Sequence, residues 1–268
     1  VSGIVIGPPG TFAGQADENI TVQQTVLRQN GLVGILVLTA GSLELFKFQD
    51  NIIREHPLGG IIFAPTVASI GRRGADRNIV ISRNYMANNL LQVAFANTGT
   101  AEQVAITENK ILNEGLPFPV GLIGVLWINA GEVRNSLISA NMMQNHLLAG
   151  MIFLNGGRVD TVDIIGNKGS TPQQGITFNG LVGILFANFG GFGVTEIRDV
   201  NVTDNVINSN GPGGGILTIF PIIGFAGGDT ESFNLVNNNI RQNLGPGFLK
   251  LGGGDFTRSN FEGNTFRN

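Results

Sequence analysis

Residues 79–86 read IVISRNYM, and the phrase returns as VAITENKI at 104–111, SLISANMM at 136–143, VNVTDNVI at 200–207 and FNLVNNNI at 233–240. In each copy an alternating run ends on an Asn, with an apolar residue two positions later. Aligning all copies gives a ladder of Thr25, Asn51, Asn84, Asn109, Asn141, Asn167, Asn205, Asn238 and Asn264, with steps of 26, 33, 25, 32, 26, 38, 33 and 26 residues. A second landmark is a Gly opening an apolar run: Gly3, Gly34, Gly60, Gly124, Gly150, Gly183, Gly215 and Gly247, with Gln92 standing in for one copy. The interval from ladder residue to Gly is usually 9 and from Gly to ladder often 17, so the minimal unit is 26 residues. Longer units carry insertions in one of two loops.

The alternation inside the unit has period two, not the 3.6 of a helix. Positions five and three before the ladder are apolar: Phe46 and Phe48, Ile79 and Ile81, Val104 and Ile106, Val162 and Ile164, Val200 and Val202, Phe233 and Leu235. Residues such as Lys47, Asp163, Asn201 and Asn234 lie between them. That is a strand with one buried face. Units of this size cannot bury that face alone, so they stack into a solenoid.

On the repeated N-x-[apolar] turn and the G-[apolar]-x-[apolar] run after it, the sequence resembles the right-handed parallel β-helix superfamily, the pectate-lyase-like architecture, over nearly its whole length. The expected fold is all-β: one domain over residues 1–268, a right-handed parallel β-helix (solenoid) of about nine coils with three short strands per coil. The resemblance implies that the Asn sits inside a tight bend and bonds adjacent coils. Asn tolerates left-handed backbone, and its amide can donate and accept along a stack. Thr25 departs from the pattern in the first unit.

Only 13% of the 268 residues are charged, about half of the roughly 25% usual in soluble domains, while Gly numbers 40, Cys 0 and net charge −3. Mean hydropathy is +0.19. Such a chain is too apolar for disorder and has no electrostatic footprint for nucleic acid. Without Cys it has no disulfide framework and no thiolate ligand or nucleophile. Apolar stretches such as Phe118 to Ala130 fall short of the roughly 18 residues of a membrane span. Apolar surface must therefore be shown or covered by a partner. The chain opens on Val1-Ser2-Gly3 with no Met and no signal pattern, which reads as a mature or trimmed start. The expected location is secreted or cell surface.

In a solenoid each repeat position becomes a column, with a step of about 4.8 Å. Seven before the ladder the column reads Glu18, Glu44, Arg77, Glu102, Arg134, Asp160, Arg198, Glu231, and two residues earlier Glu132, Arg158, Glu196. Alternating sign from Glu44 onward reads as a salt-bridge stripe, not a catalytic carboxylate cluster. The strands opened by Gly differ. Their outward positions are apolar too: Leu36, Leu38, Ile62, Leu126, Ile128, Ile152, Leu154, Leu185, Leu217, Ile219, Leu249 and Leu251, with Ala elsewhere. Strands apolar on both faces are buried on both. The expected cover is another copy of the chain. The competing cover is the chain's own loops 64–75, 187–194 and 219–230, which carry Phe189, Phe192, Phe220, Ile222, Ile223 and Phe225. The chain also begins on a Gly-strand and stops just after the ladder turn at Asn264, so head-to-tail stacking is a second expected mode.

Enzymes of the resembled architecture are pectate lyases and polygalacturonases. The resemblance implies acidic Ca²⁺ clusters with a basic residue, or paired Asp, outside the Gly-strand; here Leu, Ile and Ala occupy those positions. No catalytic residue, metal or cofactor is therefore assigned. His56 and His146 share the position five after the ladder and read as solvated turns, not a metal pair. Asp229, Glu231 and Asp255, with Lys250 nearby, are the residual candidates for a glycan or Ca²⁺ site. Arg72-Arg73 reads as solvated, and the sequons at Asn19 and Asn201 as chance matches in an Asn-rich chain. The expected function is a structural extracellular protein that self-assembles into a homo-oligomer or filament (fibre, sheath or surface layer). Polysaccharide is the other partner considered. The alternatives are a polysaccharide lyase or hydrolase, or a non-catalytic glycan-binding module, which a single Trp and a single Tyr disfavour.

Overall fold

The period-two runs of the sequence become strands, and the strands become columns. The computed structural model describes residues 2–7, 17–39, 42–65, 74–114, 121–169, 174–188, 195–219, 230–251 and 257–267, and these contain no helix. All their strand pairings are parallel; one isolated antiparallel bridge joins Lys168 and Gly175.

A nine-stranded sheet collects the Gly-opened runs: Ile4–Ile6, Val33–Thr39, Gly59–Pro65, Leu91–Asn97, Ile123–Asn129, Ala149–Asn155, Val182–Asn188, Gly214–Ile219 and Phe248–Leu251. Neighbours in this sheet are successive repeats, and the register holds each position in line: Ile35 faces Ile61, Val93 faces Val125, and Met151 faces Ile184. A fourteen-stranded sheet collects the strands before the ladder, such as Lys47–Gln49, Val80–Ser82 and Ala105–Thr107, together with charge-bearing strands such as Ala75–Arg77. The strands after the ladder form a six-stranded sheet from Val26–Arg28 to Ile176–Thr177 and a three-stranded one from Val206–Asn208 to Thr265–Arg267.

The inward residues converge on one core. It joins the positions five and three before the ladder, such as Phe46, Phe48, Ile79 and Ile81, to Ile35, Ile61, Val125 and Trp127 of the Gly-opened strands. The third set, two after the ladder, supplies Ile53, Met86, Ile111, Met143 and Ile207. Rings stack through the core from Phe48 by way of Phe63, Phe95, Trp127, Phe153, Phe186, Phe233 and Phe248 to Phe261, with centroids 4.9 to 5.9 Å apart. Each such pair adds about 0.5–1.5 kcal/mol beyond the area it buries.

The bends differ from expectation in one respect. The left-handed residue is the one before the ladder Asn, not the Asn itself: Asp50 (φ 56°), Arg83 (52°), Glu108 (57°), Ala140 (53°), Asp204 (55°) and Asn237 (54°). That conformation turns the chain so that the next side chain points back into the bend. It costs a non-glycine residue roughly 1–2 kcal/mol. The N–H groups freed at these positions bond to the following repeat, Arg83 to the Thr107 carbonyl at 3.1 Å and Glu108 to that of Ser139 at 3.0 Å, which offsets the cost.

The Gly landmark also has a steric cause. A Cβ on Gly34 would lie 2.5 Å from Ile53 Cγ2 and 2.8 Å from the Gly60 carbonyl oxygen. On Gly150 it would lie 2.5 Å from Ile176 Cγ2 and 2.9 Å from Asn179 Nδ2. Here the strand backbone meets the bend of the following repeat, and no side chain fits between them.

Candidate functional site

The ladder residues lie in the bends that follow the alternating strands. Asn109 donates its backbone N–H to Asn141 Oδ1 at 3.0 Å and its Nδ2 to the same oxygen at 2.9 Å. The Nδ2 also donates to the Ile81 carbonyl of the preceding repeat at 2.8 Å. The same three bonds recur at Asn51, Asn84, Asn141, Asn167, Asn205 and Asn238. Asn264 donates its Nδ2 to the Leu235 carbonyl. Thr25 takes part through its backbone N–H alone, bonded to Asn51 Oδ1 at 3.0 Å. Each interior amide is thus saturated, both hydrogens given and the oxygen twice used. These side chains hold repeats together and offer nothing to a ligand.

Two further stacks are present that the sequence reading missed. The first runs through the position five after the ladder, and through Asn179, twelve after Asn167 in the longest repeat. His56 and His146, expected as solvated, are fully buried there. The residues before them, Glu55 and Asn145, have φ of 63° and 62°, so the chain makes a second bend that points the next side chain inward. Asn179 and Asn210 repeat the ladder bonds, Asn179 to Asn210 Oδ1 at 3.1 and 2.9 Å and Asn210 to Asn243 Oδ1 at 2.9 Å from both donors. His56 Nδ1 accepts the Asn30 N–H at 3.2 Å, the part an Asn oxygen plays elsewhere. His146 Nδ1 lies 3.0 Å from Asn179 Oδ1 and must donate, the part of an amide nitrogen. Burial lowers the pKa of both histidines, that of His146 to about 4.

Gln92, which replaces the landmark Gly, sends its amide into this stack. Its Oε1 accepts from Asn89 Nδ2 at 2.6 Å, and its Nε2 donates to the Leu112 carbonyl at 3.2 Å and Asn113 Oδ1 at 3.3 Å. The third stack, at the far end of the Gly-opened strands, runs Asn97, Asn129, Asn155, Asn188 with Nδ2 to Oδ1 distances of 2.7, 2.7 and 2.9 Å. Trp127 Nε1 donates to Asn97 Oδ1 at 3.1 Å. Its signal was in the sequence as an aromatic-x-Asn phrase: Phe95-Ala96-Asn97, Trp127-Ile128-Asn129, Phe153-Leu154-Asn155 and Phe186-Ala187-Asn188.

The charged columns form ion pairs. Arg77 pairs with Glu102 at 3.1 Å. Arg134, Glu132, Arg158, Glu196, Arg198 and Asp160 form a chain with steps of 2.7, 3.7, 3.5, 3.1 and 3.5 Å. Pairs this exposed contribute about 0–1 kcal/mol each. Of the residual acidic candidates, Glu231 pairs with Arg258 at 2.9 Å, while Asp229 and Asp255 lie outside the described residues, as do Arg72 and Arg73. Among the described residues no three His, Asp or Glu side chains are placed to hold a metal ion. One buried carboxyl stands apart. Asp76 shares an inward column with Leu43 and Ala101 and accepts the Leu43 N–H at 3.3 Å. Burial pushes its pKa up to about 7.

The apolar outward positions of the nine-stranded sheet are unevenly exposed. Leu36, Leu38, Ile62, Leu126, Leu154, Leu185, Leu217 and Leu249 are half-buried, Ile128 and Leu251 are 40% and 38% exposed, and Ile152 is only 7% exposed. The Ile219 side chain lies outside the described set, as do residues 66–73, 189–194 and 220–229 of the three loops weighed as cover. Column neighbours pack on one another: Leu126, Ile152, Leu154 and Leu185 cluster with Ile123, Ala149 and Val182.

The class defined by these observations is an all-β protein of stacked parallel strands, compatible with a β-solenoid and held by buried asparagine stacks. No helix among the described residues is long and apolar enough to cross a membrane. No protein-family model matches the chain, and no curated protein or solved structure matches it.

Proposed function

We propose that this chain is a structural, exported protein that assembles with copies of itself through the outer face of the nine-stranded sheet, as a filament, sheath, fibre or surface layer. One observation carries the reading: seven successive strands, from Val33–Thr39 to Gly214–Ile219, contain no charged side chain. Their outward residues are mainly Leu, Ile and Ala. An uncharged apolar sheet face of seven strands is the kind of surface that partners cover. The fold we assign beneath it is a β-helix of nine coils with three short strands per coil. The three asparagine stacks at three bends of the repeat support this assignment. Its right-handed sense follows the strong preference of parallel β-crossovers.

The test is light scattering after size exclusion, with electron microscopy, at micromolar concentration. Oligomers or filaments are expected, and a stable monomer overturns the reading. Ile128→Asp places a charge on the most exposed outward position of the central strands and should convert the assembly to monomer with unchanged circular dichroism. Ile152 is unsuitable, because an Asp at a buried site would report on folding. Release of unsaturated sugars from polygalacturonate would instead establish a lyase.

A further inference from the structure

Six of the nine Gly-opened strands are immediately preceded by a leucine. Leu32, Leu58, Leu90, Leu122, Leu148 and Leu181 stand immediately before the strands that begin at Val33, Gly59, Leu91, Ile123, Ala149 and Val182. They lie one above another along the sheet edge. The Leu58 N–H donates to the Leu32 carbonyl at 2.9 Å, Leu122 to Leu90 at 2.7 Å, Leu148 to Leu122 at 2.9 Å and Leu181 to Leu148 at 2.9 Å. Leu32, Leu58 and Leu181 are 52%, 41% and 37% exposed. Leu90, Leu122 and Leu148 are half-buried, and Leu122 and Leu148 pack with Ile123, Ala149 and Val182, so the six form an apolar ridge continuous with the charge-free face.

We infer that this leucine ridge is the second half of a docking surface for another copy of the chain, the ridge of one copy lying against the outer strand face of its partner. The inference rests on the self-assembly reading above and adds the residues and the orientation. Three features point to a second copy. The surface is uncharged over seven strands, so its partner must present an equally uncharged surface. Seven strands about 4.8 Å apart, each about 23 Å long, span a face of roughly 700 Å², the dimensions of one side of a standard interface. A ridge with one leucine per strand step also fits into rows of the same spacing, and the neighbouring face of an identical chain has that spacing. Reciprocal contact of ridge with face closes as a two-fold pair.

The experiment is sedimentation velocity on the full chain over a concentration series, comparing wild type, Leu58→Ser with Leu181→Ser, and Ile128→Asp. Emission of the single Trp reports that each variant is folded. The ridge variant is expected to weaken self-association at least tenfold. If it assembles as tightly as wild type while Ile128→Asp is monomeric, the ridge inference falls and the face reading stands. If wild type is monomeric, both fall. Should the double variant not fold, Leu32→Ser, at the most exposed of the six, is read in its place. Wild type that binds neutral phosphatidylcholine vesicles without self-associating would overturn the choice of partner.

Discussion

Asn141 gives its one side-chain oxygen to two donors of Asn109, the backbone N–H at 3.0 Å and Nδ2 at 2.9 Å, while its own Nδ2 reaches the Ile106 carbonyl at 2.7 Å. Removing that amide orphans donors on one side and an acceptor on the other. Each orphaned buried group costs about 1–3 kcal/mol. Asn141→Ala should therefore lower the unfolding free energy by about 3–4 kcal/mol. Asn264, half-buried at the last described step, supports one neighbour, and Asn264→Ala should cost about 1 kcal/mol. Denaturant titration of both checks this; equal losses would contradict a stack whose members act through neighbours on both sides.

Trp127 is fully buried and ties the ring stack to the third asparagine stack through Asn97. Trp127→Phe keeps a ring in the stack but leaves Asn97 Oδ1 without its indole donor and opens a small void. The expected loss is about 2 kcal/mol. In wild type, emission from this sole Trp should be blue-shifted and move red on unfolding. Emission typical of a solvated indole in the folded protein would contradict the placement.

Acid stability involves two buried histidines opposed by one buried carboxyl. His146 titrates near pH 4 in the fold against an ordinary 6.5, because burial disfavours its charged form. The unfolded imidazole takes a proton first, so this stabilisation is whole above pH 6.5 and is lost as pH falls from 6.5 toward 4. His56 acts in the same direction. Asp76 titrates near 7 in the fold against an ordinary 3.8. Its contribution is whole below pH 3.8 and is lost as pH rises through 7. Between pH 4 and 6.5 the trends oppose each other. Asp76→Asn should unmask the histidine term, with stability falling by roughly 3 kcal/mol from pH 7 to pH 4. Adding His146→Asn, which restores the residue type found at Asn179 and Asn210, should remove most of that slope. An unchanged pH profile in Asp76→Asn would contradict the burial of either group.

Ala140 is held at φ 53° on the surface, just before a ladder residue. Ala140→Gly relieves a conformational cost of roughly 1–2 kcal/mol and adds chain entropy to the unfolded state worth about 0.5–1 kcal/mol. A net gain of about 0.5 kcal/mol in thermal or denaturant unfolding is expected. A loss of 1 kcal/mol or more would contradict the left-handed assignment.

Period and register were legible because side chains alternate along a strand. Phe46 with Phe48 and Ile79 with Ile81 announced the buried face, and the alternation of Glu102, Arg134 and Asp160 announced a shared column. Most outward apolar positions were legible for the same reason, though Ile152 is more covered than Leu126. The second and third stacks were not recognised. His56 resembles any turn histidine until the bend that buries it is known, and Asn97 resembles any strand-end polar residue until Asn129 lies above it.

The sequence by itself determined the repeat, the strand alternation and the line of ladder residues, because each is a spacing along the chain that elementary strand geometry converts into position. The tertiary structure alone decided which bend residues are buried, which member of each bend is left-handed, and that Asp76 and two histidines lie away from water. Those properties depend on the neighbouring repeat, which arrives 25 to 38 residues later in the chain; only stacking brings its carbonyls and amides within hydrogen-bonding reach.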